Sequence, residues 1–342
     1  MQALERSGAA TARAGWQPAH LVVEAEGEVM GLAPAWLKSH SQGEYVFDHG
    51  WADAFERAGG RYYPKLQLCA PFTPATGPRL LARSDAAADA LIRAVEGVVA
   101  ANELSSAHAT FLLPHERARF EAAGWLIRSG EQFHWFNNNY RDFQDFLDDL
   151  SSARRKNIRK ERARAQAGLD IIHLHGPDIR EQHWDAFWDF YMDTAAKKWG
   201  RPYLTRPFFS EVGETMGPRV LLMLALRHGR PIAGALNFTG SDCLYGRYWG
   251  AIEDVPCLHF ELCYYQAIDW AIAHGLPRVE AGAQGPHKLA RGYRAVETLS
   301  AHHIANPSFR SAVADFVTRE ARAVQADIEA LDMATPFRKS SS

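Results

Sequence analysis

Three stretches of this 342-residue chain gather side chains able to hold charge or move a proton. In Arg278–Tyr293, RVEAGAQGPHKLARGY, a short β-rich segment runs into a glycine-rich loop carrying Gln284, His287, Lys288 and Arg291. The glycines at 282, 285 and 292 let backbone N–H groups approach a ligand, and the cations can stabilise a phosphate or a developing oxyanion. An ordinary polar loop after an edge strand has a similar composition. Glycine combined with convergent His, Lys and Arg is nevertheless what a rigid scaffold uses to carry a site.

The second stretch is CLHFELCYYQAIDWAIAH from Cys257. His259 and Cys263 stand one helical turn apart, a spacing that zinc can use, but no second ligand pair matches it and no metal is expected. Glu261 is a carboxylate at the entrance of an otherwise apolar helix, either a general base or a solvated acid near the positive end of the helix dipole. The candidates for proton transfer are therefore Glu261, His287 and His259. Lys288, Arg291, Gln284, Tyr248, Trp249, Asn237 and Asp48 are the residues expected to contact substrate.

The third stretch, Ser151–Ala165, sets seven basic residues against one acid, Glu161. Asp142, Asp145, Asp148 and Asp149 lie just upstream, so acids near a helix start and bases near its end would satisfy the macrodipole. Seven bases exceed that need. Arg154, Arg155, Lys156 and Arg159 are accordingly candidates to bind the phosphates of a nucleotide carrier or a tRNA.

Other chemistries are disfavoured. No G-x-S-x-G elbow, no G-x-x-x-x-G-K-[ST] loop and no strand-linked G-x-G-x-x-G occurs. A net charge of −2 and a pI near 6.7 argue against a protein that coats nucleic acid or membrane through its overall field. Four cysteines without disulfide-like spacing, and no apolar run long enough to span a bilayer, point to a cytoplasmic protein.

These residues need positioning elements, and the chain supplies them twice. His20–Lys38 reads as a hairpin turning at Glu26-Gly27-Glu28, and Val220–Gly240 as a hairpin turning at Arg227-His228-Gly229-Arg230. After the first come a strand near Tyr63–Cys69, a helix at Asp85–Asn102 and a strand at His108–Leu113. After the second come a strand at Cys243–Trp249, a helix at His259–His274 and a strand at Arg278–Ala281. Between the copies lie helical stretches at Tyr140–Gln166 and Glu181–Trp199, the latter with an aromatic stripe read as core rather than a stacking platform. The expected organisation is α/β (α+β) with two mixed sheets flanked by helices. Its parts are residues 1–139, a helical connection 140–205, residues 206–325 and a flexible tail 326–342.

Several ordered blocks resemble the Fem-like family of predicted N-acyltransferases. They are His40–Gln67, Pro71–Leu81, Arg154–Arg162, Lys197–Phe209, His259–Ile272 and GAQGPHKLARGY at Gly282–Tyr293. The resemblance implies a tandem acetyltransferase-like (GNAT) fold and transfer of an acyl or aminoacyl group onto an amine acceptor of peptidoglycan type. The carrier it implies is acyl-CoA or aminoacyl-tRNA, used as a co-substrate with no tightly bound cofactor. Two features depart from the family pattern. The start MQALERSGAA resembles the middle of the family's first helix, so a short N-terminal stretch is expected to be missing. Pro286 stands where an acidic residue usually precedes His-Lys. The R/Q-x-x-G-x-G/A pyrophosphate loop is not intact, since Arg247 and Gly250 are followed by Ile252. Direct attack of the amine, without a covalent intermediate, is the expected route.

Overall fold

The computed structural model describes residues 1–198, 202–282 and 285–338. Contacts divide the chain into two compact units, Met1–Glu131 with Glu297–Ile328, and Gln132–Val296 with the segment from Glu329 onward. The stretch 140–205, expected as a connection, lies inside the second unit.

In the first unit a mixed sheet runs Trp16–Pro18, Ala35–Lys38, Lys65–Leu68, Ser106–Thr110 and the end of Arg294–Ile304. Lys65–Leu68 and Ser106–Thr110 are parallel and the other pairs antiparallel. Strand alternation sends Ala35, Leu66, Leu68, Ala107, Ala109 and Ala301 to one face. Against that face packs the helix Asp85–Ala101 through Leu91, Ile92, Val95 and Val99. Each of those side chains contributes about 1.5–3 kcal/mol of burial. The helix starts where Ser84 Oγ accepts from the Ala87 N–H at 3.2 Å, capping a donor the helix cannot satisfy internally.

The hairpin expected at His20–Lys38 exists as Leu21–Ala25 and Glu28–Ala33, with Glu26 and Gly27 both at positive φ (55° and 81°) in the turn. Its place in the duplication differs from the expectation. It pairs with Leu81–Ala82 in a separate three-stranded sheet. The short strand Trp16–Pro18, the first of the main sheet, instead pairs with Ala35–Lys38 and brackets the hairpin, which is an insertion.

The second unit's sheet runs from the end of Leu126–Phe136 through Arg278–Glu280, Cys243–Ala251, Arg230–Thr239, Val220–Arg227 and Asp170–His175. The hairpin turn lies at His228-Gly229, as expected. The helix Glu181–Lys198 buries Trp184, Phe187, Phe190 and Tyr191, so the aromatic stripe is core. It approaches so closely that a Cβ on Gly250 would stand 2.3 Å from the Phe190 carbonyl. Trp199 lies outside the described residues.

Two expectations fail at Leu150. The stretch Tyr140–Gln166 is two helices, Phe143–Asp149 and Ser152–Gln166, separated by a fully buried Leu150 in extended conformation that bridges to Phe337. The supposed flexible tail is ordered through 338. The helix Pro307–Met333 runs well past residue 326, and beyond it Ser151 N–H donates to Pro336 O and Arg338 N–H to Asp149 O, each at 3.0 Å. Among the described residues no helix is long and apolar enough to cross a membrane.

Candidate active site

The second unit contains a fork. Cys243–Ala251 and Arg278–Glu280 run parallel for three residue pairs, Cys243 with Arg278, Leu244 with Val279 and Tyr245 with Glu280. The shorter strand then ends and the longer continues, so that among the described residues no strand pairs with this edge after Tyr245. On its other side the register skips Arg247, since Leu236 faces Tyr248 and Asn237 faces Gly246. Such a bulge bends a strand and re-aims its side chains. In the fork lies a pocket of about 90 Å³ whose walls include Asn237, Tyr248, Trp249, His259, Cys263 and Tyr264.

The helix entering this fork is not uniform. Leu258–Phe260 is α-helical, Glu261–Tyr265 forms a π turn, and Gln266–Ala273 is α-helical again. A π turn spends hydrogen-bond geometry and is found mostly at functional positions. Here it carries Cys263 and Tyr264 on the pocket wall. The His259 ring packs edge-on between Trp249 and Tyr264, with centroids 5.3 and 5.4 Å away.

Glu261, the expected base, does not line the pocket. It is fully buried, and its Oε1 accepts from Arg162 Nη2 (3.1 Å), Gln166 Nε2 (2.8 Å) and Gln266 Nε2 (2.7 Å). Arg162 also reaches Asp269 at 2.6 Å. The carboxylate is thus a joint between two helices. A parallel joint runs from Glu161, which accepts from Arg291 at 2.9 and 3.0 Å and from the Tyr265 hydroxyl, while the Arg291 guanidinium stacks 3.5 Å over the Phe260 ring.

The basic helix Ser152–Gln166 therefore has two faces. Glu161 and Arg162 point inward. Arg155 is paired with Asp148 at 2.7 Å and Arg159 donates to Gln144 at 2.8 Å. Arg154, Lys156, Lys160 and Arg164 are exposed and have no acidic partner among the described residues. Lys156, Lys160 and Arg164 recur every four residues and form one row.

The loop after Glu280 continues as a short helix, Pro286–Arg291. His287 is exposed, and its Nε2 is hydrogen-bonded to the Tyr264 hydroxyl at 2.9 Å. Desolvation, with Arg291 and Lys288 nearby, lowers its pKa below the ordinary imidazole value. Lys288 is 1% exposed and donates from Nζ to Gly282 O at 2.8 Å. Burial pulls its ammonium down to about 8, an effect that Cys263 opposes. Gly292, at φ 87°, has no room for a side chain, because a Cβ would meet Phe146 at 2.6 Å. Gln284 lies outside the described residues.

Asp48 stands apart from this group, in the first unit. The polar face of that sheet is buried, with Lys65 at its centre. Lys65 Nζ donates to Asp48 Oδ2 (2.5 Å), Glu44 Oε2 (2.7 Å) and Ser41 Oγ (2.8 Å). Tyr62 donates to Asp48 at 2.6 Å. Beside them His108 and His302 share a hydrogen bond between their Nδ1 atoms at 2.7 Å. Burial raises Glu44 to about 7 even against the pull of Lys65. For Asp48 the same burial is outweighed by Lys65 and His108, which hold it below the usual carboxylate range.

The first unit has its own parallel pair, Lys65–Leu68 beside Ser106–Thr110, and its fork is filled. Gly77 N–H donates to Phe111 O. The buried Arg79 donates to the carbonyls of Thr110 (2.6 Å), Gly77 (2.9 Å), Ala75 (2.9 Å) and Pro78 (3.2 Å). Among the described residues one fork holds a small pocket and the other is plugged by a guanidinium. Of the residues read from sequence, the structure joins Asn237, Tyr248, Trp249 and His259 at one pocket and sets His287 and Lys288 behind it. Sequence reading missed Tyr264 and the buried Lys65–His108–His302 set. Tyr264 is one of several aromatics in an apolar helix and carried no distinguishing signal.

The family model described as peptidoglycan biosynthesis/recognition, FemAB-like, matches residues 1–339. No curated protein sequence matches the chain. Among solved structures it resembles FemX, with a TM-score of 0.56 and 11% identity over 91% of this chain and 93% of that one. It also resembles L-PGS from Bacillus licheniformis, with a TM-score of 0.57 and 10% identity over 93% and 95% of the two chains. A third is the C-terminal domain of a putative lysylphosphatidylglycerol synthetase from Agrobacterium fabrum, with a TM-score of 0.50, 11% identity and coverage of 94% and 96%. At such identities these likenesses speak for the fold alone; the expected α/β class with a mixed sheet flanked by helices is what the chain has, while the expected count of two mixed sheets is not, since the remaining small sheet of three strands is antiparallel throughout. With the family model matching almost end to end, the chain belongs to the FemAB-like family.

Proposed function

We propose that this protein is an N-acyltransferase that moves an acyl or aminoacyl group from an activated carrier to an amine, with its chemistry in the fork of the second unit. The observation that carries this reading is the divergence of the two parallel strands after Tyr245 beside a small pocket walled by His259, Asn237 and Tyr264. A carbonyl oxygen laid along the longer strand there meets backbone donors fixed before reaction, which is what a tetrahedral oxyanion requires. The attacking amine must lose a proton. With His287 protonated on Nδ1, its Nε2 accepts from Tyr264, so a proton leaving the pocket through the phenol reaches an exposed imidazole. The family description favours a cell-wall precursor as the amine-bearing acceptor, and a cytoplasmic location belongs to the same proposal.

The charges favour a phosphodiester carrier over CoA. A CoA pyrophosphate would sit where the long strand turns into the helix N-terminus. That turn carries Glu253 and Asp254, and Glu253 is already paired with Arg227 and Arg230 at 2.7 and 2.6 Å. The row Lys156, Lys160 and Arg164 suits an RNA backbone, and aminoacyl-tRNA is the carrier proposed. Thermal-shift and native mass measurements with acyl-CoAs, charged tRNA and uncharged tRNA test this, because a ligand of the folded state raises its stability. Stabilisation by charged tRNA is expected. Replacing the three cations by Gln should lower the salt slope of binding by about 0.7–0.9 per cation. A response to acyl-CoA alone overturns the carrier assignment. Binding of tRNA and precursor without any transfer makes the protein a binder on the same scaffold.

A further inference from the structure

Asn237 stands at the bulge in the long hairpin's strand pairing, on the wall of the fork pocket. It is 1% exposed, so its carboxamide has to be satisfied locally. Both N–H donors are spent: Nδ2 donates to the carbonyl oxygens of Ala235 at 3.2 Å and Leu221 at 3.4 Å. The reverse orientation would set Oδ1 against those same two oxygens, so the amide is fixed one way round. Its Oδ1 accepts no hydrogen bond among the described residues.

That oxygen faces a gap. Asn237 is paired with Gly246, which also lines the pocket. A Cβ on Gly246 would stand 3.4 Å from Asn237 Oδ1, 3.4 Å from the Glu280 carbonyl oxygen and 3.5 Å from Ala281 Cα. These are ordinary contact distances, and Gly246 is not among the glycines at positive φ. The backbone therefore has no need of glycine here, and what glycine provides is space with two oxygens at its rim. A carbonyl oxygen bonded within a sheet still has a second lone pair to offer. Arg247 lines the pocket as well, but its guanidinium lies 5.2 Å over the ring of Tyr248. Beyond the bulge Tyr248 pairs with Leu236 and packs edge-on to Tyr191, so that ring belongs to the opposite face of the sheet from Asn237.

We propose that the gap over Gly246 is the subsite for the amino group of an aminoacyl donor, with Asn237 Oδ1 and the Glu280 carbonyl oxygen as its acceptors. The proposal rests on the transferase reading above and names what the carrier delivers, an acyl group bearing an α-amine rather than a plain acyl chain. The acceptors decide the chemistry. An alkyl group in the gap leaves Oδ1 without a donor, whereas an amine or ammonium supplies N–H groups to both oxygens. A site that hydrogen-bonds its substrate rejects the analogue lacking that group far better than an apolar pocket rejects a shorter chain. The pocket, about 90 Å³ or roughly three water volumes, suits a small aminoacyl group such as alanyl.

The experiment titrates the full chain with adenosine that holds alanine through a 3′-amide, which does not transfer, and with the propionyl counterpart, which lacks only the amine. The alanyl compound is expected to bind about tenfold tighter or more, as charge-assisted hydrogen bonds allow. Gly246→Ala fills the gap with a methyl group that the fold has room for. It should bring the alanyl compound down to the affinity of the propionyl one and leave the latter unchanged. Asn237→Leu should do the same, and where it fails to fold Gly246→Ala decides. Equal binding of the two compounds by the wild-type chain overturns the subsite and leaves the transferase reading standing. A preference that survives Gly246→Ala places the amine elsewhere and also overturns it. Binding of neither compound overturns the subsite together with the carrier assignment. A preference lost in Gly246→Ala, in a chain that passes aminoacyl groups to no amine, keeps the subsite and sinks the transferase reading.

Discussion

Lys65 is a fully buried ammonium between two buried carboxylates, and each member of the group is tolerable only because of the others. Lys65→Met leaves Asp48 without its ammonium and Glu44 with the more distant Lys38, 3.8 Å away. The expected cost is about 3–5 kcal/mol, read as a fall in the urea midpoint at an unchanged m-value; a loss under 1 kcal/mol would show that the charges are not sequestered. The histidine pair sets an acid limit. Burial holds His108 down to about 3, and His302 is likewise depressed. Between the unfolded-state value near 6.5 and the folded values, the unfolded chain binds more protons. The histidines' contribution is therefore complete above about pH 6.5 and is lost as pH falls, at about 1.4 kcal/mol per pH unit for each ring, and Glu44, raised to about 7, offsets about one ring's slope down to its unfolded value near 4.5. A melting series from pH 7 to 4 should show that limb, and His302→Gln should flatten it by about half the pair's share. Asp48 was legible in the sequence as a residue of interest, but its partners Lys65, His108 and His302 were not. Those residues stand up to 254 positions from Asp48, and only the sheet register brings them together.

The helix Ser152–Gln166 shows what a sequence can and cannot disclose about an element. Its charge was plain, and so was the ambiguity between dipole complementarity and ligand binding. The structure divides the question by face: Glu161, Arg162 and Arg155 are committed to neighbours, and Lys156, Lys160 and Arg164 have no acidic partner among the described residues. The break before it at Leu150 was hidden because leucine is a good helix former, and its extended conformation is imposed by the bridge to Phe337, 187 residues away. The π turn was hidden for a similar reason, since no residue type encodes it. Glu261 looked like a base because an acid in an apolar helix is conspicuous, and the same isolation also describes a buried joint. Glu261→Gln keeps the shape and removes the charge facing Arg162. Its expected effect is a stability loss of about 1–3 kcal/mol, with turnover falling only with the folded fraction. A folded variant with no turnover would return the carboxylate to the chemistry.

At the scale of the molecule, each unit's sheet depends differently on chain continuity. Ser106–Thr110 is covered on one side by Ser300–Ile304, nearly two hundred residues further on. The same returning segment brings His302 to His108, and the helix it leads into packs Val313 and Val317 with Trp51 and Tyr62. A fragment of residues 1–131 therefore has an unpaired strand edge, a lone buried histidine and an open apolar cluster. The second unit is almost contiguous, because its sheet from His134 to Glu280 lies within residues 132–296. That fragment gives up the segment that pins Leu150 and the first six residues of the strand Leu126–Phe136. The division predicts that residues 132–296 alone unfold in one cooperative transition with near-ultraviolet dichroism. Residues 1–131 alone should show neither, and joining residues 297–328 to them through a flexible linker should restore both. Cooperative unfolding of residues 1–131 alone would mean that the returning strand and helix merely decorate a core complete without them, and the plugged fork at Arg79 would then be the structural centre of that unit.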